Sequence, residues 1–290
     1  MIEITIPIIV GFIALSVGTY TDFKTREVPD WVNYGLIMFG FGISAIYSIV
    51  FSSWNYFLFS LAGFGICLGI SLLMFYTGQW GGGDSKMLMA LGALIGFTFN
   101  MKEDFLLYLL INIIIVGGLY GLVWSIVLGI KNRYRIALFW KKFIANRTVY
   151  IIRNVILIAV VVLFVLAILM RENLFFIYLV LIGIFVILTF YIWAFMKAIE
   201  NVAMLKLVKP EEITEGDWIA KDIYVDKKYI CGPKDLGINK VQLKQLIAFK
   251  KSGKIKDVLI KVGIPFIPSF LIAYIFTIFF GSLIGFFVGI

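Results

Sequence analysis

Residues 105–130, FLLYLLINIIIVGGLYGLVWSIVLGI, form an apolar run of 26 residues that contains no charged side chain. The hydrocarbon core of a bilayer is about 30 Å thick and needs roughly 20 helical residues to cross it, so this run predicts a transmembrane helix. The composition of the whole chain agrees, with 62% hydrophobic residues, 15% charged residues and a mean hydropathy of +1.01. Soluble domains do not have this composition, and the sequence therefore predicts a membrane protein.

Further apolar runs on both sides of this one predict an all-α polytopic membrane protein with about eight transmembrane helices. The eight runs lie near residues 5–22, 31–51, 55–77, 84–99, 105–130, 149–170, 174–196 and 266–290. The fourth run has only 16 residues, about 24 Å of helix, so the glycines before it are expected to enter the membrane with it.

One stretch of the chain, residues 201–262, has the character of a soluble domain, with 13 lysines and 8 acidic residues. Alternating patterns at residues 218–225 and 256–260 predict short strands. Between them, Asn239 is a candidate helix N-cap, and Ser252-Gly253 is the corresponding stop signal. The stretch therefore predicts a small cytoplasmic α+β insert before the last transmembrane helix.

Lysine and arginine residues orient the chain in the membrane. With the N-terminus outside, eight spans place both termini outside and leave only Lys102 and Arg171 of the 26 basic residues on the outer side. The net charge of +9 is then explained by this topology and by attraction to anionic membrane lipids, without nucleic acid as a partner. The same analysis divides the chain into residues 1–130 with five spans, residues 131–200 with a basic cytoplasmic loop and a transmembrane hairpin, the insert at residues 201–262, and a last helix at residues 263–290.

Two aspartates stand at the ends of predicted spans: Asp22 closes the first span and Asp84 opens the fourth. The predicted topology places both on the cytoplasmic side, so the two carboxylates can meet. Carboxylates at membrane depth are costly and usually functional. When two carboxyl groups lie close together, one can hold a proton while the other stays ionised, which is what an aspartyl protease needs to activate water. Helix dipoles favour Asp84 as the ionised member and Asp22 as the proton holder.

Histidine and cysteine usage excludes other chemistries. The chain has no histidine, which removes Ser-His and Cys-His catalysis and histidine-ligated zinc. Its two cysteines, Cys67 and Cys231, lie on different elements, give no zinc-site spacing, and are expected to be small packing residues. We therefore predict no metal and no cofactor.

Two motifs carry a family resemblance. The segment from Asp22 to Trp31, DFKTREVPDW, followed by Gly81-x-Gly83-Asp84-x-Lys86, resembles the archaeal branch of the prepilin and preflagellin peptidases, the Gly-x-Gly-Asp membrane aspartyl proteases. The resemblance is strongest over the first 100 residues. It implies that Asp22 and Asp84 are the catalytic pair and that Gly81 and Gly83 are the motif glycines.

Weaker likeness to the archaeal enzymes continues at residues 232–237 and 263–268. The resemblance implies cleavage of class III signal peptides, in which a short basic leader is removed from type IV pilin or archaellin precursors at the cytoplasmic membrane face. The best-known bacterial relatives also methylate the new N-terminus and carry paired Cys-x-x-Cys motifs. This chain has no Cys-x-x-Cys, so we expect proteolysis without methyl transfer.

Alternatives to this interpretation stay open. The same two aspartates are compatible with an intramembrane protease of the presenilin or signal-peptide-peptidase type, although Thr21, not a tyrosine, precedes Asp22. A proton- or cation-coupled transporter also uses intramembrane carboxylates, but inverted repeats are not apparent. Lys86 is compatible with two roles: tuning the carboxylate pair, or anchoring the chain at the inner membrane surface.

Overall fold

The computed structural model describes residues 2–100, 104–170, 174–235, 237–283 and 285. By their contacts the residues form two compact units, one of residues 1–123 with 263–290 and the other of residues 124–262. The first unit contains α1 (Ile2–Thr25), α2 (Asp30–Val50), α3 (Asn55–Tyr76), α4 (Gly82–Ile95), most of α5 (Phe105–Lys131) and α10 (Ile267–Phe280). The second contains the end of α5, α6 (Arg133–Ile144), α7 (Arg147–Leu169), α8 (Phe175–Val202), β1 (Leu205–Val208), β2 (Trp218–Ile219), β3 (Ile223–Val225), β4 (Lys228–Cys231), α9 (Lys240–Lys251) and β5 (Val258–Lys261).

Six helices in the described part of the chain are long and apolar enough to cross a membrane: α1, α2, α3, α5, α7 and α8. The chain is thus a mostly helical, multi-pass membrane protein, as predicted. The expected count of about eight spans is not confirmed, because α4 and α10 have 14 residues each.

The fourth predicted span ends earlier than expected. Helix α4 stops at Ile95 because Gly96 adopts a left-handed conformation, with φ of 73°. This conformation is costly for residues other than glycine. A side chain here would also press against the backbone of Phe59, whose carbonyl accepts a hydrogen bond from the N–H of Phe97 at 2.8 Å.

Small residues allow α4 to pack closely against its two neighbours. A Cβ atom added to Gly40 of α2 would lie 2.7 Å from the backbone of Ala93, and one added to Gly63 of α3 would overlap the carbonyl oxygen of Gly92. Helices in membranes associate through such close backbone contacts, since lipid tails remove the hydrophobic driving force between helices. The glycines therefore allow α4 to approach the backbones of both neighbouring helices closely.

Two serines on α3 add hydrogen bonds to this contact. The hydroxyl of Ser60 donates to the carbonyl of Ala93, and that of Ser71 donates to the carbonyl of Ser85 at 2.9 Å. Buried hydroxyls in an apolar region need such partners. The two bonds hold α4 at both its ends.

The insert in the second unit confirms the predicted α+β composition. Strands β1, β5 and β2 form an antiparallel sheet, and β3 pairs with β4. Asn239 caps α9, since its side chain accepts a hydrogen bond from the N–H of Gln242 at 2.9 Å, and Ser252 ends the helix. The strand predicted at residues 218–225 is divided into β2 and β3, because the chain changes sheets between them.

Two further details differ from or extend the sequence analysis. The basic segment after residue 131, expected to be a loop, is the helix α6. Both cysteines are free and fully buried, in agreement with packing roles, and burial raises the pKa of the Cys231 thiol to about 11. The domain boundaries derived from the sequence stay predictions.

Candidate active site

Asp22 lies near the end of α1 and is nearly buried, with 5% of its surface exposed. Its Oδ2 atom accepts a hydrogen bond from the backbone N–H of Ile267 at 3.0 Å. Ile267 is the first residue of α10, so the carboxylate of Asp22 stands at a helix N-terminus. Free N–H groups and the helix dipole make this a favourable place for a negative charge.

One aromatic side chain of α10 contributes to the contact between this helix and α1. Tyr274 is fully buried, and its hydroxyl donates to the carbonyl of Ile8 on α1 at 3.1 Å. Gly11 provides the space, because a Cβ atom at this position would lie 2.5 Å from the tyrosine oxygen. Helices α1 and α10 therefore run in close contact, and this contact brings the N–H of Ile267 to Asp22.

Asp84 occupies the first turn of α4 and is half-buried. Its Oδ2 atom accepts a hydrogen bond from the backbone N–H of Gly81 at 3.1 Å, which satisfies one of the free donors at the start of the helix. The glycine and serine contacts of α4 with α2 and α3 fix the helix that carries this carboxylate. Asp84 is thus attached to a helix that packs closely against two neighbours.

Helices α1 and α4, which carry Asp22 and Asp84, pack against each other, so the two carboxylates lie in the same region of the first unit. Helices α1 and α4 meet at Gly18, where an added Cβ atom would lie 3.0 Å from the side chain of Met87. The connector between α1 and α2 closes the same region, because an added Cβ atom on Gly83 would lie 3.3 Å from the backbone nitrogen of Val28. Like charges at such a place favour a state in which only one carboxyl group is ionised.

The two motif glycines have different local roles. Gly81 has an extended conformation and donates its N–H to Asp84, and Gly83 allows the connector to approach α4. Neither glycine has a positive φ angle. The reason for a glycine at position 83 is therefore the close approach of Val28 to its backbone, not a special backbone conformation. Lys86 binds Asp30, the first residue of α2, with 2.5 Å between Nζ and Oδ1. Its ammonium group also lies 5.4 Å from the centre of the Tyr34 ring.

Several residues near the pair were not singled out from the sequence. Trp80 packs against Phe266 and Phe270, with ring centres 5.9 and 5.3 Å apart. This aromatic cluster connects the glycine turn before Asp84 with the start of α10 beside Asp22. Arg26 lies one turn beyond Asp22, and its backbone N–H donates to the carbonyl of Asp22 at 3.0 Å. Two of these residues had a sequence signal, since Arg26 belongs to the segment 22–31 and Phe266 to the segment 263–268, and both segments carry part of the resemblance.

A metal site needs at least one further ligand beside the two aspartates. Among the residues that the structure describes, no cysteine or further acidic side chain lies close enough to form such a cluster. The site is an arrangement of two carboxylates, two backbone N–H donors and an aromatic wall. Such a pair can take up one proton and release another, which is acid–base chemistry. The fold and the site together define a multi-pass membrane protein with a carboxylate pair at its helix ends.

Comparison with known proteins connects this class to one family. Residues 9–124 match the model of the type IV leader peptidase family, and this region contains both aspartates and the glycine motif. The resemblance noted from the sequence is confirmed for this part of the chain. No solved structure matches the chain.

Curated relatives agree with the family match. The preflagellin peptidase of Methanocaldococcus jannaschii is 38% identical over 93 residues, which are 32% of this chain and 39% of the relative. The preflagellin peptidase of Methanococcus maripaludis is 37% identical over 87 residues, which are 30% of this chain and 37% of the relative. The matched part spans less than two-fifths of the length of these relatives.

Proposed function

We propose that this protein is a membrane aspartyl endopeptidase that removes the short basic leader of preflagellin-like or prepilin-like precursors, without methyl transfer. The observation that carries the proposal is the contact between helices α1 and α4, which hold Asp22 and Asp84, inside the region that matches the leader peptidases. Neither a presenilin-like protease nor a transporter is favoured by the family match. The precursors are its substrates, and anionic membrane lipids are its surroundings.

In the proposed mechanism, the two carboxyl groups act in opposite protonation states. Asp22 takes a proton from a water molecule as the water oxygen attacks the scissile carbonyl carbon, while protonated Asp84 donates its proton to the carbonyl oxygen. The resulting diol collapses when Asp22 returns its proton to the leaving nitrogen and Asp84 takes one from a hydroxyl. The C–N bond breaks, and both groups regain their initial states.

The choice of Asp22 as base reverses the expectation from the two helices that carry the aspartates. That expectation considered only the end of α1 and the start of α4. The hydrogen bond from Ile267 adds the N-terminus of a third helix, α10, at Asp22. The N-terminus of α10 at Asp22 and the N-terminus of α4 at Asp84 then both stabilise a negative charge. We assign the charge to Asp22, because a backbone N–H donor stabilises a carboxylate most strongly where the carboxylate is nearly buried.

We further propose that the pair faces the cytoplasm and that both chain ends lie outside, in accordance with the distribution of basic residues. A carboxylate pair at helix ends, not at their middle, suits a bond next to a hydrophobic segment. The basic leader would remain in water while the hydrophobic helix of the precursor lies in the membrane.

The test is cleavage of leader-bearing precursors by the full chain in detergent, with the cut mapped by mass spectrometry. We expect one cut between the leader and the hydrophobic segment, and an unmethylated new N-terminus. A precursor whose basic leader residues are replaced by serine serves as the control and should be cut more slowly. Cuts inside the hydrophobic segment would support the presenilin-like alternative, and intact precursors under all conditions would contradict the proposal.

The Lys86–Asp30 pair leads to a separate prediction about positioning. Both side chains are partly exposed, so the pair should contribute no more than about 1 kcal/mol to stability. Because it connects the start of α2 to the helix of Asp84, we expect Lys86→Gln and Asp30→Asn to reduce kcat several-fold. The double variant should be no worse than either single variant.

A matched control for this pair is Lys24→Gln, which removes an exposed lysine of α1 with no ion pair among the described residues. It should leave kcat unchanged. Additive losses in the double variant would show that Lys86 and Asp30 act independently.

A further inference from the structure

The second unit contains a strongly basic segment that the proposed function does not use. Residues 131–153 hold seven lysines and arginines and no acidic residue. These are Lys131, Arg133, Arg135, Lys141, Lys142, Arg147 and Arg153. Within the described part of the chain, none of them forms an ion pair, whereas lysines of the insert such as Lys250 and Lys254 have acidic partners. The positive charge of this segment is therefore uncompensated.

Helix α6 is amphipathic, with its basic residues on one side and its half-buried apolar residues on the other. Ile136, Phe139, Trp140 and Phe143 are half-buried, and Phe143 packs on Trp193 of α8 with ring centres 5.7 Å apart. The basic residues of α6 are exposed. Basic amphipathic helices of this kind are typical of membrane surfaces.

A groove of about 390 Å³ lies where α5 meets α6. The groove is lined by Ile126, Gly129, Ile130, Phe195 and Arg133. Arg133 is the only charged residue in this lining. Gly129 keeps the groove open beside the Phe195 ring, because an added Cβ atom would lie 3.2 Å from that ring. The groove is open along one side and is not an enclosed cavity.

Arg133 stands one turn after Gly129, at the start of α6. Its guanidinium contacts the neighbouring Tyr134, with a hydrogen bond of 3.3 Å to the hydroxyl and 5.0 Å to the ring centre. An arginine has five N–H donors in a planar arrangement that suits phosphate. Most of these donors have no partner among the described residues, so they are available to a ligand.

We propose that this groove binds one anionic phospholipid of the bilayer, with an acyl chain along Ile126, Ile130 and Phe195 and the phosphate at Arg133. The apolar walls suit a hydrocarbon chain, and the guanidinium of Arg133, just beyond the end of the membrane-spanning helix α5, suits a headgroup. A free phosphate ion would gain nothing from the apolar walls. The uncompensated charge of α6 favours an anionic headgroup over a zwitterionic one.

The test uses the delipidated full chain in detergent and measures binding of phosphatidylglycerol by native mass spectrometry, with phosphatidylcholine as the zwitterionic counterpart. We expect preferential binding of one phosphatidylglycerol, and Arg133→Gln should weaken it about tenfold, since a charge-assisted contact is lost. Arg135→Gln is the matched control: it removes the same charge from the same helix, outside the groove lining, and should have a much smaller effect. Ile126→Trp, which fills the groove and keeps Arg133, should also weaken binding.

Several outcomes would overturn the proposal. Equal losses in Arg133→Gln and Arg135→Gln would indicate diffuse surface attraction, and equal binding of both lipids would remove the anionic headgroup from the explanation. Competition by inorganic phosphate would indicate a site for the free ion. Efficient crosslinking of Ile130→Cys chains to each other, unaffected by lipid, would show that a second copy covers the groove.

Discussion

Replacement of either aspartate by asparagine is expected to reduce cleavage of a leader-bearing precursor by about a thousandfold or more, with the fold retained. Asparagine has nearly the shape of aspartate but can neither accept the proton of water nor donate one to the carbonyl. Because the two groups act as a unit, the double variant Asp22→Asn/Asp84→Asn should be scarcely worse than the single variants. The measurement is initial cleavage rate against enzyme concentration, with thermal unfolding recorded for each variant.

The matched control is Asp257→Asn, the same replacement at an exposed aspartate just before β5. It should keep the full rate. Retained cleavage in Asp22→Asn or Asp84→Asn would exclude the carboxylate mechanism, whichever precursor is used. Asp22→Asn can also weaken the contact with Ile267, so a loss of activity counts only if its unfolding temperature stays near that of the parent chain.

A second large effect is expected from the contact between α3 and α4. Gly63→Ala places a methyl group onto the carbonyl oxygen of Gly92, where neither backbone can move without separating the helices. Overpacking costs typically about 1–3 kcal/mol. Helix α4 should shift as a whole, so the variant should lose activity as well as stability, because Asp84 moves with the helix.

Gly65→Ala is the control for this prediction. Gly65 lies on the same helix, two residues further on, with nothing within 4 Å of an added Cβ atom. Alanine is the better helix former by about 1 kcal/mol, so this variant should be neutral or slightly more stable. We expect the free energies of unfolding of the two variants to differ by about 3 kcal/mol. Equal stabilities, measured by reversible unfolding in mixed detergent micelles, would mean that α3 and α4 are not in close contact.

Much of the architecture could be predicted because its signals are local. Apolar runs longer than a bilayer is thick indicate helices wherever they occur, and the Asn239 cap and Ser252-Gly253 stop were recognised because caps depend on residues three or four positions apart. Predictions failed where packing between distant segments determined the bounds of an element. The strand expected over residues 218–225 is divided between two sheets, and the helix expected to reach residue 99 ends at Ile95, where Gly96 packs on Phe59.

The candidate site shows the same division between local and distant signals. Asp22 and Asp84 were recognisable because a carboxylate at the end of an apolar run is rare and costly. The partner of Lys86 was not recognisable, since Asp30 is 56 residues away and lies on another helix. The aromatic cluster of Trp80, Phe266 and Phe270 was also missed, because aromatic residues are common throughout an apolar sequence.

The sequence by itself determined that this chain is a helical membrane protein with two carboxylates at the ends of apolar runs, because hydropathy and charge are properties of each segment alone. Only the tertiary structure decided what surrounds each carboxylate. Asp22 accepts a hydrogen bond from the N–H of Ile267, 245 residues further along the chain, and Tyr274 of the same helix also packs against α1. Such contacts arise from the fit of complete helix surfaces, and no local pattern encodes them.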